Sequence, residues 1–303
     1  MKVGIIGRGA IGVCLASYLS KQNQMQTVLF IRDTYEPISP LYLQQVDGVD
    51  IAITAPQVNL NAETLKDIDL LILPIKHYQV ETTLLALQGK LSHHTTVLLL
   101  HNGMGTQALI EKHLPNTPYL IGITTDAAYQ VSANRFHQAA CGKLEIGCPI
   151  QTSEIDSRNV STRSMTELMK LHPRLTWRED IEYAQYQKLA INAAINPLSA
   201  TKNCKNGQVK HFKDELKQIK SEIFDLYEFM NLPIDNHELS QQIDDVIDLT
   251  KNNYSSMHQD FNKNRQTEVD GILGFLLLKG EETGMKLPFI ESLYQQIVSS
   301  GSA

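Results

Sequence analysis

The sequence predicts an α/β chain in two parts, an N-terminal doubly wound parallel sheet followed by a C-terminal all-helical domain. Three observations carry this. Over the first half, short apolar runs alternate with helix-like stretches, and runs this apolar suit strands covered by helices on both faces. A glycine-rich turn follows the first run and opens a helix-like stretch. Beyond about residue 180 the pattern changes to long amphipathic segments with few β-branched runs, which is helical periodicity. A length of 303 residues also exceeds what one core usually fills, so two domains are expected, at 1–178 and 179–303.

The apolar runs place strands at Val3 to Gly7, Thr27 to Ile31, Leu70 to Ile75, Thr95 to Leu100 and Tyr119 to Thr124. Between the first two lies Gly7-Arg-Gly-Ala-Ile-Gly12, leading into a helix over Val13 to Lys21. A G-x-G-x-x-G in this strand-turn-helix setting is the dinucleotide fingerprint of a Rossmann-type domain. Gly7 permits the tight turn, Gly9 lets backbone amides approach a pyrophosphate, and Gly12 lets the helix pack close to its strand. The second strand ends in Arg32-Asp33. Arg32 suits the 2′-phosphate of NADPH, whereas Asp33 offers the acceptor that an NAD ribose would take, so the residues themselves leave both cofactors open. Lys76 and Asn102, the latter within His101-Asn-Gly-Met-Gly105, follow the carboxyl ends of later strands, where parallel sheets present ligands.

In the second half, helices are expected over Ile181 to Thr201, Phe212 to Met230, His237 to Leu249 and Glu268 to Gly284. Lys188, Asn192 and Asn196 stand at i, i+4 and i+8 among Leu, Ala and Ile, forming one polar row on an otherwise apolar helix. A buried ammonium and two buried amides would need partners that a ligand with a carboxylate and a carbonyl could supply; a row facing water would need none. Pro197 is expected to kink or end this helix. Thr267-Glu-Val-Asp270 resembles a capping box, which would put Glu268 in a first helical turn, where the dipole favours its ionised form.

Composition bounds the partners. Apolar residues are 42% and charged residues 20% of the chain, with a formal charge of -6, so no basic field for nucleic acid or anionic membrane is expected. Cys14, Cys141, Cys148 and Cys204 lack the spacing of a disulfide framework or a metal site and are expected as reduced thiols. Arg8 interrupts the N-terminal apolar stretch, unlike the apolar run of a signal peptide, and no window is long enough for a membrane span. A cytoplasmic protein is expected, with no persuasive metal-ligand cluster among its ten histidines.

Taken together, Gly7 to Gly12, Lys76, His101-Asn-Gly-Met-Gly105, Lys188-Leu-Ala-Ile-Asn-Ala-Ala-Ile-Asn-Pro197, Ser255-Ser-Met257 and Thr267-Glu268 resemble the ketopantoate reductase family over nearly the whole chain. The resemblance implies NADPH-dependent reduction of 2-dehydropantoate to (R)-pantoate by a monomer or homodimer acting on a small 2-oxo acid. It implies Lys188 as proton donor. Gly7, Arg8, Gly9, Ala10, Ile11, Gly12, Arg32, Lys76, Asn102, Ala128 and Glu268 would lie against the cofactor. Asn102, Lys188, Asn192, Asn196, Asn206, Asn253, Tyr254, Ser255, Ser256 and Glu268 would lie against the substrate. The sequence departs from the pattern at Asp126, where some members carry histidine. A paralogous reductase of another 2-oxo acid and a non-catalytic NADPH sensor are the competing readings.

Overall fold

A computed structural model describes residues 1–22, 25–32, 34–149 and 167–300. The chain separates into two compact units: Met1–His101 with Thr106–Glu182, and Asn102–Gly105 with Tyr183–Ala303.

In chain order the first unit runs β1 (Lys2–Ile6), α1 (Ala10–Leu19), β2 (Gln26–Ile31), β3 (Leu41–Gln44), β4 (Asp50–Ile53), β5 (Gln57–Asn59), α2 (Ala62–Leu65) and β6 (Leu70–Leu73). It continues with α3 (Val80–Leu87), β7 (Thr96–Leu99), α4 (Gln107–His113), β8 (Tyr119–Thr124), β9 (Ala127–Ser132), β10 (Arg135–Ala140), β11 (Leu144–Gly147) and β12 (Leu175–Trp177). The strands β5-β2-β1-β6-β7-β8 form a parallel sheet, and β11 and β12 extend it beyond β8, with β11 antiparallel to β8. The order reverses between β1 and β6, so the switch point lies where β1 delivers its glycine turn. All four residues of β6, Leu-Leu-Ile-Leu, are buried, as two-sided coverage requires.

A second sheet, β4-β3-β10-β9, is absent from the sequence expectation. It packs on α1: Leu41, Leu43, Ile53 and Phe136 share one core with Val13, Leu15, Leu19 and with Val3 and Ile5 of β1. Held between two sheets, α1 is buried at every residue from Gly12 to Leu19, which explains why its sequence has no polar face.

The second unit contains α5 (Ile181–Thr201) from Tyr183 onward, α6 (Lys213–Phe229), α7 (Asn236–Leu249), α8 (Ser256–Phe261), α9 (Phe275–Thr283) and α10 (Pro288–Ser300). Its core joins Leu189, Ala193, Ala194 and Leu198 of α5 to Ile219, Ile223, Ile243, Ile272, Leu276 and Ile290. The small alanines of α5 let neighbouring side chains close on it from several sides, which is why a helix of weak amphipathicity sits at the centre. Glu222 of α6 accepts from the backbone N–H groups of Phe289 (2.8 Å) and Ile290 (2.9 Å), capping the start of α10.

α5 runs through Pro197 to Thr201, the end expected for it, and the turn beyond the proline is buried and fixed by the Ser199 hydroxyl donating to the Cys204 carbonyl at 2.9 Å. One local expectation needs correction. Glu268 is not within a first helical turn. It precedes a π-helical turn, Asp270–Gly274, that leads into α9, and the Thr267 hydroxyl accepts from Val269 N–H (3.4 Å) in place of a capping box.

Candidate active site

The glycine turn has the geometry its spacing demands. Gly7 adopts φ +86° and donates its N–H to the Phe30 carbonyl at the end of β2 (2.7 Å). Gly9 caps α1, its carbonyl accepting from Val13 N–H at 2.9 Å, and a side chain there would meet nothing within 4 Å. A Cβ on Gly12 would come within 3.2 Å of Ile5 and 3.3 Å of the Gly7 carbonyl, so any side chain there would crowd the packing of α1 on β1. No side chain caps α1 and no carboxylate stands in its first turn, which includes Ala10 and Ile11. Its amides and positive dipole end therefore suit an anion.

Two arginines border this turn. Arg32 follows β2 and is exposed; Arg8 lies inside the turn, half-buried. Asp33, the competing ribose acceptor, lies outside the described residues. Lys76 follows β6 and precedes a short helical turn, His77–Gln79. Ala128 is placed on β9 in the second sheet, opposite Gln138, four residues beyond the carboxyl end of β8.

In the helical unit, Lys188 and Asn192 are half-buried and Asn196 is 8% exposed, so the polar row of α5 is recessed without being sealed from solvent. No side-chain partner for the amides of Asn192 and Asn196 occurs among the described residues. Asn206 is committed differently: its Nδ2 donates to Thr250 Oγ1 (2.9 Å) and its backbone N–H to the Asn253 carbonyl (2.9 Å), while its buried Oδ1 has no partner among the described residues. Ser255 caps α8, its hydroxyl accepting from His258 N–H (3.0 Å), whereas Asn253, Tyr254 and Ser256 are exposed. The Tyr254 ring stacks on His258 at 4.3 Å, and burial pushes the His258 pKa down.

Glu268 is buried, and its carboxylate accepts from Asn102 Nδ2 at 3.2 Å. The loop Asn102–Gly105 explains how. Gly103 and Gly105 have φ of +81° and +96°, Met104 is buried in the helical core, and Met104 N–H donates to the Gly271 carbonyl at 2.9 Å. Any Cβ on Gly103 would lie 2.5 Å from that same carbonyl oxygen. Reading His-Asn-Gly-Met-Gly from sequence finds Asn102 and misses Gly103, Met104 and Gly271, which dock it. The signal available was the apolar Met104 between two glycines, too large for an exposed turn.

Asp126 is no exposed replacement for a histidine: its side chain and that of His172 are fully buried and 3.0 Å apart. Arg174 N–H donates to His172 Nδ1 (2.9 Å), so Nε2 carries the proton and donates to Asp126. Asp126 Oδ1 also accepts from Gly142 N–H (2.7 Å) and the Tyr18 hydroxyl (3.3 Å). The four cysteines are free thiols, and burial, with Asp126 nearby, pushes Cys14 up to about 12. Among the described residues no cluster suited to a metal ion occurs, and no helix is long and apolar enough to cross a membrane.

Sheet order, glycine turn and appended helices define a Rossmann-fold oxidoreductase. The family model described as "Ketopantoate reductase PanE/ApbA" matches residues 3–151 and that described as "Ketopantoate reductase PanE/ApbA C terminal" matches residues 180–299. A 2-dehydropantoate 2-reductase of Yersinia pestis is 32% identical, covering 98% of this chain and 94% of its own length. Among solved structures, a PanE/ApbA family ketopantoate reductase from Ralstonia eutropha JMP134 superimposes with a TM-score of 0.86 at 18% identity, covering 100% of this chain and 99% of that one. D-mandelate dehydrogenase in a ternary complex with NADH and anilino(oxo)acetate reaches the same TM-score, 0.86, at 22% identity, covering 100% and 98%. The chain belongs to the ketopantoate reductase family, a family of oxidoreductases.

Proposed function

We propose that this chain reduces 2-dehydropantoate to (R)-pantoate with NADPH in the cytoplasm, a step toward pantothenate and coenzyme A. The observation that carries the reading is the partly buried α5 row, one ammonium and two amides, with no protein partner for either amide among the described residues. Amides left unpartnered on a partly buried helix face are available to the carboxylate and carbonyl of a ligand. The Yersinia pestis relative, named for this reaction, supports the choice of substrate.

In this reading residues 1–178 bind the cofactor and residues 179–303 bind substrate and supply the catalytic residue. The uncapped α1, Gly7 to Gly12, Lys76 and Arg32 fit a dinucleotide phosphate chain, with Ala128 and Asn102 assigned to the same ligand. NADPH, when bound, supplies the hydride. Lys188 holds its ammonium proton against the substrate carbonyl oxygen, stabilises the negative charge that develops there and gives up the proton. An ordinary lysine is protonated at neutral pH, so this role asks no unusual ionisation of it. Asn192 and Asn196 orient the substrate without adding charge. Asn206, Asn253, Tyr254, Ser255 and Ser256 line the same substrate, and Glu268, an acceptor-only carboxylate, takes the substrate hydroxyl.

The test follows NADPH absorbance with purified protein and ketopantoate, beside NADH and simpler 2-oxo acids. Rapid oxidation with NADPH and ketopantoate alone is expected. Preference for another oxo acid would move the substrate assignment, and absence of turnover with all of them would leave a nucleotide sensor.

A further inference from the structure

The carboxyl ends of β1 and β2 are adjacent, with Ile6 opposite Phe30 in the register; Arg8 stands two residues beyond β1 and Arg32 directly after β2. Arg32 is exposed and, among the described residues, makes no ion pair, as is common for surface arginines. Arg8 is different. Its Nη1 donates to the Glu36 carbonyl (2.8 Å) and to Gln57 Oε1 (3.3 Å), and its guanidinium lies 5.2 Å above the Tyr35 ring. Gln57 is itself fixed, accepting from Ile38 N–H at 3.2 Å and donating to the Ile38 carbonyl. The holding groups are two neutral oxygens and a ring. Among the described residues no carboxylate pairs with Arg8, and its Nε and Nη2 have no protein partner.

A guanidinium anchored by neutral groups keeps its full charge and gives up little further side-chain freedom on binding, which is preorganisation for an anion. A phosphate monoester carries about -1.5 to -2 charge near neutrality, so one arginine leaves it undercompensated. We propose that Arg8 joins Arg32 in gripping the 2′-phosphate of the cofactor and is a determinant of preference for NADPH over NADH. This rests on the cofactor assignment above and assigns to Arg8 a role beyond membership of the glycine turn.

The experiment measures equilibrium binding of NADPH, NADH, adenosine 2′,5′-bisphosphate and 5′-AMP to the full chain and to Arg8→Ala, Gln57→Ala and Arg32→Ala. Loss of a charge-assisted contact predicts that Arg8→Ala weakens NADPH and the bisphosphate by roughly ten- to a hundredfold, with NADH and 5′-AMP scarcely changed. Gln57→Ala, which leaves the arginine but removes its anchor, should give a smaller loss confined to the same two ligands. Unaltered binding of NADH and 5′-AMP serves as the check on folding. Equal loss for phosphorylated and unphosphorylated ligands, or an unchanged NADPH affinity, would overturn the role of Arg8 alone. Failure of the unaltered chain to bind any of the four would overturn the cofactor assignment together with it.

Discussion

Asn102 donates its side-chain amide to the carboxylate of Glu268 at 3.2 Å, across 166 positions of sequence. Both residues are grouped in the helical unit, although Asn102 is reached in the chain between two strands of the sheet. The contact orients a buried carboxylate, and a buried carboxylate deprived of a donor bears a desolvation cost.

Asn102→Ala is therefore expected to lower kcat/KM for the oxo acid by roughly ten- to a hundredfold, with little change in far-UV circular dichroism. Asn102→Asp should behave differently with pH. Two carboxylates this close share a proton, so its defect should deepen as pH rises and the shared proton leaves. A pH-independent defect in Asn102→Asp would show that the carboxylates do not face one another.

Lys188→Ala should lower kcat by about two to four orders of magnitude, the range for loss of a positioned proton donor, while NADPH affinity stays near that of the unaltered chain. Stopped-flow hydride transfer and equilibrium NADPH titration separate the two. Unchanged turnover in the cofactor-bound variant would remove Lys188 from the chemistry.

The glycines divide into two kinds. Gly9 has open space around its Cα hydrogen and φ -71°, so Gly9→Ala should leave the melting temperature nearly unchanged and weaken dinucleotide binding. Gly103→Ala meets the Gly271 carbonyl at 2.5 Å with φ +81°. It should cost roughly 2 kcal/mol or more in stability, because both strain and displacement of the loop are required. Thermal unfolding of the two variants side by side decides this.

Cys14 gives an alkaline signature. Its thiol, pushed up to about 12 from an ordinary 9.0 chiefly by burial, stays protonated in the folded chain where the unfolded chain has ionised. The raised value means this contribution is complete below about pH 9 and is lost as pH rises toward 12, by about 1.4 kcal/mol per unit while it lasts. Urea unfolding at stepped alkaline pH should show a shallower decline for Cys14→Ala. Iodoacetamide at pH 8 should leave Cys14 of the folded protein unmodified.

Much of the fold was legible because its local signals agree with its global form. Leu70 to Leu73 is apolar throughout and lies in the middle of the sheet, and the alternation in Phe212 to Met230 matches the observed α6. The second sheet was not legible: β4 is Asp-Ile-Ala-Ile with two exposed residues, a short half-solvated strand whose pattern resembles a loop. Pro197 is carried inside α5, which reaches the expected Thr201, because burial of the surrounding turn outweighs a lost hydrogen bond. Candidate site residues within one helix, Lys188, Asn192 and Asn196, followed from spacing alone. The role of Met104 did not, since a contact with Gly271 has no local trace. Asp126 and His172 were likewise invisible as a pair, because charge in a sequence carries no sign of burial.

The placement of Asn102–Gly105 within the helical unit has a consequence for how this protein can be taken apart or recombined. A single cut after Glu182 does not yield a self-sufficient helical piece, since the plug Met104 and the amide facing Glu268 would remain on the other fragment. Grafting residues 183–303 onto a foreign sheet would leave a gap in the helical core unless the donor's loop supplied a side chain of Met104's shape between two glycines. Inheritance of the two halves is thereby tied together by four residues, and exchange between relatives should succeed only when this loop travels with the helices.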